Sequence, residues 1–354
     1  MSVARPDDNE RVTIVEALVW QRAYVLEAGS PVAARILDAV IESVEAGGPL
    51  REILPTRARF GDLVGLRVMA AVHRLALERR APGVALHLPT LGGQPPSPVQ
   101  ESDFANAVVD ALERHPDELG DSIRQTPQTN EVGRSALLRC ALSRLGPLTE
   151  VRLNEIGCSA GLNLRADHLP GQEGLEAGPL PRVIERRGCD LDPVDPTTQE
   201  GRLHLSSYIW VDDVFRFERL RQAMIVAAGI PARVVRQDAV AFLEGMTLAD
   251  SATTMVWHSA MWPYLKEGER TTILGVIARL GQSATPTRPF AHVSWEWSPD
   301  RADLVRGFEL VVRQWSGGDD DGRPVRLARA RGHGDGASLV SAHGEVLESE
   351  PLAR

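Results

Sequence analysis

The stretch Val151-Arg152-Leu153-Asn154-Glu155-Ile156-Gly157-Cys158-Ser159-Ala160-Gly161-Leu162-Asn163-Leu164 reads as a strand that gives way to small residues and then to a helix. Two chemistries use such a bend. In a dinucleotide or adenosyl-cofactor site, glycines let the backbone turn sharply and approach the ligand, and N–H groups at the helix start face its carboxylate or phosphate. Glu155, Gly157, Cys158, Ser159, Ala160, Gly161 and Asn163 would then line the cofactor. In a hydrolase, Gly157-x-Ser159-x-Gly161 is a G-x-S-x-G elbow whose serine attacks an ester or amide. Asp238, with His258, His292 or His333, would supply the rest of a Ser, Asp, His order. That reading also needs an oxyanion loop from an earlier strand, for which Leu91-Gly92-Gly93 is the one faint candidate.

Further acidic residues recur where a cofactor site wants them. Asp190 and Asp192, in Arg187-Gly188-Cys189-Asp190-Leu191-Asp192-Pro193 after the second candidate strand, could accept ribose hydroxyls, although the gap from Gly161 exceeds the usual distance of about 20 residues. Gln237-Asp238-Ala239 closes the third strand, where a carboxylate could accept from an adenine amino group or simply cap a helix. Glu155-x-Gly157-x-Ser159-x-Gly161 resembles the acidic-x-Gly-x-Gly-x-Gly pattern of S-adenosylmethionine-dependent methyltransferases, with serine in place of the middle glycine. The resemblance implies S-adenosylmethionine as cofactor. The fourth strand ends in His258, whose ordinary pKa near neutrality suits a general base. A histidine satisfied inside the protein is the competing reading. Glu296, ending the fifth strand, could orient His258 or a substrate. Trp262 and Tyr264 follow His258, and Trp257, Trp262, Trp295 and Trp297 cluster at these strand ends, which suggests an aromatic-walled pocket or ordinary core packing.

The positioning elements change character near residue 147. Before it, apolar residues at three- and four-residue spacing predict helices near 9–28, 31–46, 61–80, 101–114 and 133–145. After it, candidate strands at 150–156, 182–187, 232–237, 253–258 and 289–296 alternate with helical patterns at 212–228 and 266–281, Gly281 being placed to cap the latter. Residues 308–313 and 323–327 read as a terminal hairpin. The expected fold class is therefore α/β: an N-terminal all-helical domain, 1–147, lidding a Rossmann-like domain, 148–354, with a sheet of the class I methyltransferase kind.

With 354 residues, 43% apolar, 25% charged and 5% aromatic, the chain has the balance of a globular protein. No window offers a membrane-spanning apolar run, and the start lacks a signal-peptide pattern, so a cytoplasmic protein without membrane partners is expected. A net charge of −9 argues against a nucleic-acid partner. Cys140, Cys158 and Cys189 form no C-x-x-C pair, and His73, His87 and His115 lack ligand spacing, so free thiols and no metal are expected.

Several runs together resemble the DUF2332 proteins, an actinobacterial family of unknown function similar to class I methyltransferases. They are Gln128-Thr129-Asn130-Glu131-Val132-Gly133-Arg134, the Asn154–Leu164 stretch, Arg187–Pro193 and Trp257-His258-Ser259-Ala260. The resemblance covers roughly residues 17 to 335, with a departure between Asp167 and Arg182 and after Glu296. It implies the fold and the cofactor class and supplies no established substrate; a small molecule is the methyl acceptor expected here. It also implies that Asn130, Glu131 and Arg134 fold back over cofactor or substrate; capping of the following helix is the other use of these residues. A binding protein that keeps the fold without chemistry is a further reading.

Overall fold

The computed structural model describes residues 10–146, 148–298, 307–319, 321–330, 334 and 337–340. The chain divides into two compact units. One takes the chain as far as Thr129 together with Thr198–Arg221, and the other takes Asn130–Thr197 and the chain from Gln222 on. The boundary expected at 147/148 differs from this partition. The helix at 134–142 packs on the sheet, and a later segment, 198–221, completes the helical unit.

The helical unit begins with β1 (Arg11–Thr13), α1 (Ile14–Glu27), α2 (Pro31–Glu45), α3 (Leu50–Ile53), β2 (Arg57–Arg59), α4 (Val64–Leu77), α5 (Pro82–Ala85), α6 (Glu101–Arg114) and α7 (Pro116–Arg124). The first helix starts later than residue 9 because Thr13 caps it. Its Oγ1 accepts from Glu16 N at 3.2 Å and its N donates to Glu16 Oε2 at 2.7 Å. Residues 11–13 pair instead with 57–59 as an antiparallel ladder.

The second unit begins with α8 (Arg134–Leu142), β3 (Glu150–Ile156) and β4 (Arg182–Asp190). The chain then contributes α9 (Gln199–Ser207) to the helical unit and leads through α10 (Val214–Gly229) to β5 (Arg233–Arg236), α11 (Ala239–Glu244), β6 (Thr253–Ser259), α12 (Glu267–Gln282) and β7 (Phe290–Trp297). Antiparallel β8 (Phe308–Trp315), β9 (Val325–Ala330) and β10 (Ser338–Leu339) come last, and they include the expected hairpin.

The eight strands lie in the order β10-β9-β8-β7-β6-β3-β4-β5, of which β5, β4, β3, β6 and β7 are parallel. Counted from β3, that parallel part runs 3-2-1-4-5, the Rossmann-like order, with its switch point between β3 and β6. β8 lies directly beside β7, so the far edge of the sheet is an antiparallel meander. The central strands are almost wholly buried, as parallel strands covered on both faces must be. Alternation sorts their side chains: Leu153, Met255, Trp257, Val293 and Trp295 enter one core with Leu137 and Leu138 of α8, while Ile156, Val256 and Phe290 enter another with Ile273, Val276 and Ile277 of α12.

Gly281 lies inside α12 rather than capping it. A Cβ there would lie 2.5 Å from the Trp315 ring, so close packing explains the glycine. Among the described residues no helix is long and apolar enough to cross a membrane.

Candidate functional site

The bend leaves β3 at the switch point. Gly157, Ser159 and Gly161 all take positive φ, +66°, +53° and +64°, so serine occupies a left-handed position that glycine fills more readily. The bend runs into a 3₁₀ segment, Leu162–His168, kinked at Arg165, and not into the α-helix expected. Arg165 contributes to that geometry: its guanidinium donates to Gly161 O at 2.7 Å and to Ile230 O at 2.9 Å.

The amides of the bend are engaged within the protein. Cys158 N donates to Cys189 O at 3.0 Å and Gly161 N to Cys158 O at 2.7 Å. Ser159 N donates to Asp190 Oδ2 at 2.7 Å. Ala160 N and Leu162 N both donate to Asn130 Oδ1, at 3.2 and 3.1 Å. The expected offer of free N–H groups to a cofactor carboxylate is therefore corrected at these positions. Asn130, Glu131 and Arg134 act on the protein itself: Asn130 braces the bend, Glu131 O accepts from Asn163 Nδ2 at 3.3 Å and its Oε1 from Gly133 N at 2.9 Å, and Arg134 reaches Ser259 O at 3.3 Å.

Three polar side-chain atoms near the bend lack a protein partner. Glu155 Oε2, Ser159 Oγ and Asn163 Oδ1 are buried without a hydrogen-bond partner, an arrangement that costs stability. Gly157 itself is exposed. Burial pushes the Glu155 carboxyl up to about 8, against the favourable Trp257 indole and the Arg134 charge, so it is largely protonated at neutral pH. Cys158 packs its thiol on Gly188, where a Cβ would lie 2.7 Å from Sγ, and burial raises its pKa well above the ordinary range.

Of the remaining acids, Asp190 stands beside the bend, and its two oxygens accept from Ser159 N and Asp192 N. A carboxylate oxygen can accept more than one hydrogen bond. Asp192 is exposed and paired with Arg236 at 2.7 Å. Asp238 caps α11 by accepting from Ala241 N at 2.9 Å, the helix-capping alternative, with Gln237 and Ala239 flanking it.

At the tips of β6 and β7, His258 is buried, with Nδ1 2.8 Å from Glu296 Oε1 and Nε2 3.0 Å from His292 Nε2. Nδ1 donates to the carboxylate, and Nε2 is paired with His292 Nε2, one of the two donating and the other accepting. Burial, then the neighbouring His258 and Arg313, hold His292 neutral, well below the ordinary histidine range. Both nitrogens of His258 are thus spent, which corrects its expected role as a base open to substrate. Glu296 also accepts from Met261 N at 3.1 Å and Trp262 N at 3.3 Å.

The four tryptophans do not share one wall. Trp257 and Trp295 are sealed in the core, Trp262 stacks on His258 at 4.3 Å, and Trp297 meets Phe308 edge-on. Tyr264 is exposed.

The hydrolase geometry is not formed: Ser159 Oγ has no partner, Asp238 caps a helix and His258 is bound to Glu296 and His292. His333 lies outside the described residues. Among the described residues no group of three or more histidines, cysteines and carboxylates could hold a metal ion. A cleft of about 310 Å³ in the helical unit, beside Thr13, Val44, Arg51 and Leu54, contains none of these residues. Sequence reasoning missed Arg165 and the packing of Met261 on Gly157. Both depend on contacts between distant segments that spacing does not encode.

Comparison with known proteins gives a family. No curated protein matches the chain in sequence. The crystal structure of a S-adenosylmethionine-dependent methyltransferase from Clostridium acetobutylicum ATCC 824 matches with 8% identity over 69% of this chain and 93% of that one, at a TM-score of 0.26. The family model described as an uncharacterized protein conserved in bacteria matches residues 15–179 and 168–338, nearly the whole described chain, and the chain belongs to that family, DUF2332.

Proposed function

We propose that the sheet unit binds S-adenosylmethionine at the Gly157 bend and transfers its methyl group to a small molecule. One observation carries this reading: a glycine bend, exposed at Gly157 alone, at the switch point of a 3-2-1-4-5 parallel sheet, with buried, unpartnered polar atoms on Glu155, Ser159 and Asn163. The residues fit such a ligand. Asp190 sets a carboxylate beside the bend that ribose hydroxyls could reach, Gly157 permits close approach, and Ser159 Oγ and Asn163 Oδ1 are uncommitted. When bound, the sulfonium supplies an activated methyl group.

The protein's part is positioning. Asn130 and Asp190 hold the bend rigid from two sides, so side chains rather than main-chain amides would recognise the ligand. Glu155 would release its proton to the solvent as a cationic ligand approaches, because a positive charge favours the carboxylate. Calorimetry with S-adenosylmethionine and S-adenosylhomocysteine tests the reading. Binding of at least one, with proton release for the cationic ligand seen as a buffer-dependent heat at pH 7, is expected. Folded protein that binds neither at millimolar concentration would remove the proposal.

A second reading, ligand binding without turnover, is favoured by the engaged nitrogens of His258, which leave no free imidazole at that strand edge. Binding without methyl transfer to any acceptor in a broad screen would select it.

A further inference from the structure

The space that the missing Cβ of Gly157 leaves open is already taken by a thioether. A Cβ at 157 would lie 3.1 Å from Met261 Sδ, 3.2 Å from its Cβ and 3.6 Å from its Cε. We propose that Met261 is a built-in competitor for the ligand of the Gly157 bend, held there by Glu296 and displaced when the ligand binds. The inference rests on the reading of the bend as a S-adenosylmethionine site. The chemistry of the occupant supports it, since the CH₂–S–CH₃ end of methionine is the uncharged counterpart of the ligand's methylated sulfur.

The contact is held by a specific latch. Glu296 accepts from Met261 N through Oε1 and from Trp262 N through Oε2, and its Oε1 is also 2.8 Å from His258 Nδ1. His292 braces His258 from behind, and Trp262 stacks on the same imidazole at 4.3 Å with the planes 12° apart. One carboxylate therefore fixes the two residues that carry the turn. The turn is also strained. Ala260 has φ +51°, a left-handed conformation that a residue with a Cβ resists, and its N donates to Trp295 O at 2.8 Å. A turn held against its own backbone preference has a reason to move once the carboxylate is withdrawn. While Met261 is in place the bend is competent only in the fraction of molecules where it has swung out, and apparent affinity falls by that fraction.

Calorimetry on the full chain, with S-adenosylmethionine and S-adenosylhomocysteine as probes, compares wild type with Met261→Ala, Met261→Leu and Glu296→Gln. Met261→Ala should bind about tenfold tighter, whereas Met261→Leu, which keeps the bulk, should stay near wild type. Glu296→Gln keeps the Met261 side chain and serves if Met261→Ala does not fold. It should speed hydrogen exchange at the Met261 and Trp262 amides and tighten binding in the same direction. Equal or weaker binding by folded Met261→Ala, or faster exchange in Glu296→Gln without tighter binding, would overturn the competitor while leaving the cofactor reading intact. Binding by none of the four proteins would overturn both.

Discussion

Glu155 shows how one buried side chain links function to stability. Its carboxyl lies near the end of an almost wholly buried strand and is held up to about 8, against an ordinary 4.5, chiefly by desolvation. Between those two values the unfolded chain gives up its proton while the folded one keeps it, so this group lowers stability progressively as pH rises from about 4.5 to 8. The full difference is on the order of 5 kcal/mol. Glu155→Gln has nearly the same shape and no proton to lose. It should therefore melt close to wild type at pH 5 and clearly above it at pH 8 when both are followed by circular dichroism without ligand. An equal margin at the two pH values would mean that the carboxyl is not held neutral. The same substitution should abolish the proton release expected on ligand binding, since an amide cannot ionise.

At the scale of the element, α4 carries the counterpart, a histidine whose job is structural. His73 is fully buried, with Nδ1 3.0 Å from Ile209 O and Nε2 3.0 Å from Thr90 Oγ1. Desolvation lowers its pKa to about 4, so the folded helix keeps it neutral. As pH falls below about 6.5 the unfolded chain takes up a proton that the folded one refuses, and stability present above that value is lost down to about 4. The loss is about 3 kcal/mol. The stability gap between wild type and His73→Gln in urea unfolding should shrink or reverse between pH 7 and pH 4. A gap that stays constant would show that His73 titrates normally. The loop after β3 owes its shape to other segments. Its N–H groups are satisfied by Asn130 and Asp190, so the element is held open by side chains from outside itself.

For the whole molecule, the discontinuous helical unit has a testable consequence. Its core includes Tyr208, Trp210 and Val211, and the Asp212 carboxylate accepts from Val32 N and Ala33 N at the start of α2, at 3.0 and 2.9 Å. Thr90 N donates to Val211 O at 3.0 Å. A fragment ending at residue 147 lacks all of these. It loses apolar burial and leaves the first turn of α2 uncapped, at a cost of about 1 kcal/mol for the cap alone. We expect that fragment to show no cooperative thermal transition and little near-ultraviolet circular dichroism, whereas the full chain shows both. A sharp, native-like melt of the fragment would refute this.

The amino-acid order by itself determined what is local: the alternation of strands and helices, the glycine bend after the first parallel strand, the acids at successive strand ends, and the family motifs. These arise from periodicity, backbone freedom and short-range capping, which neighbouring residues settle among themselves. Tertiary structure decided the uses to which those residues are put. Asn130 became a brace for the bend, His258 a member of a closed Glu296–His258–His292 chain, Trp257 and Trp295 core, and Gly157 a seat for Met261. Each of these contacts joins residues far apart in the chain. Desolvation and hydrogen-bond satisfaction are properties of the packed interior, and they exist only once such distant segments have come together.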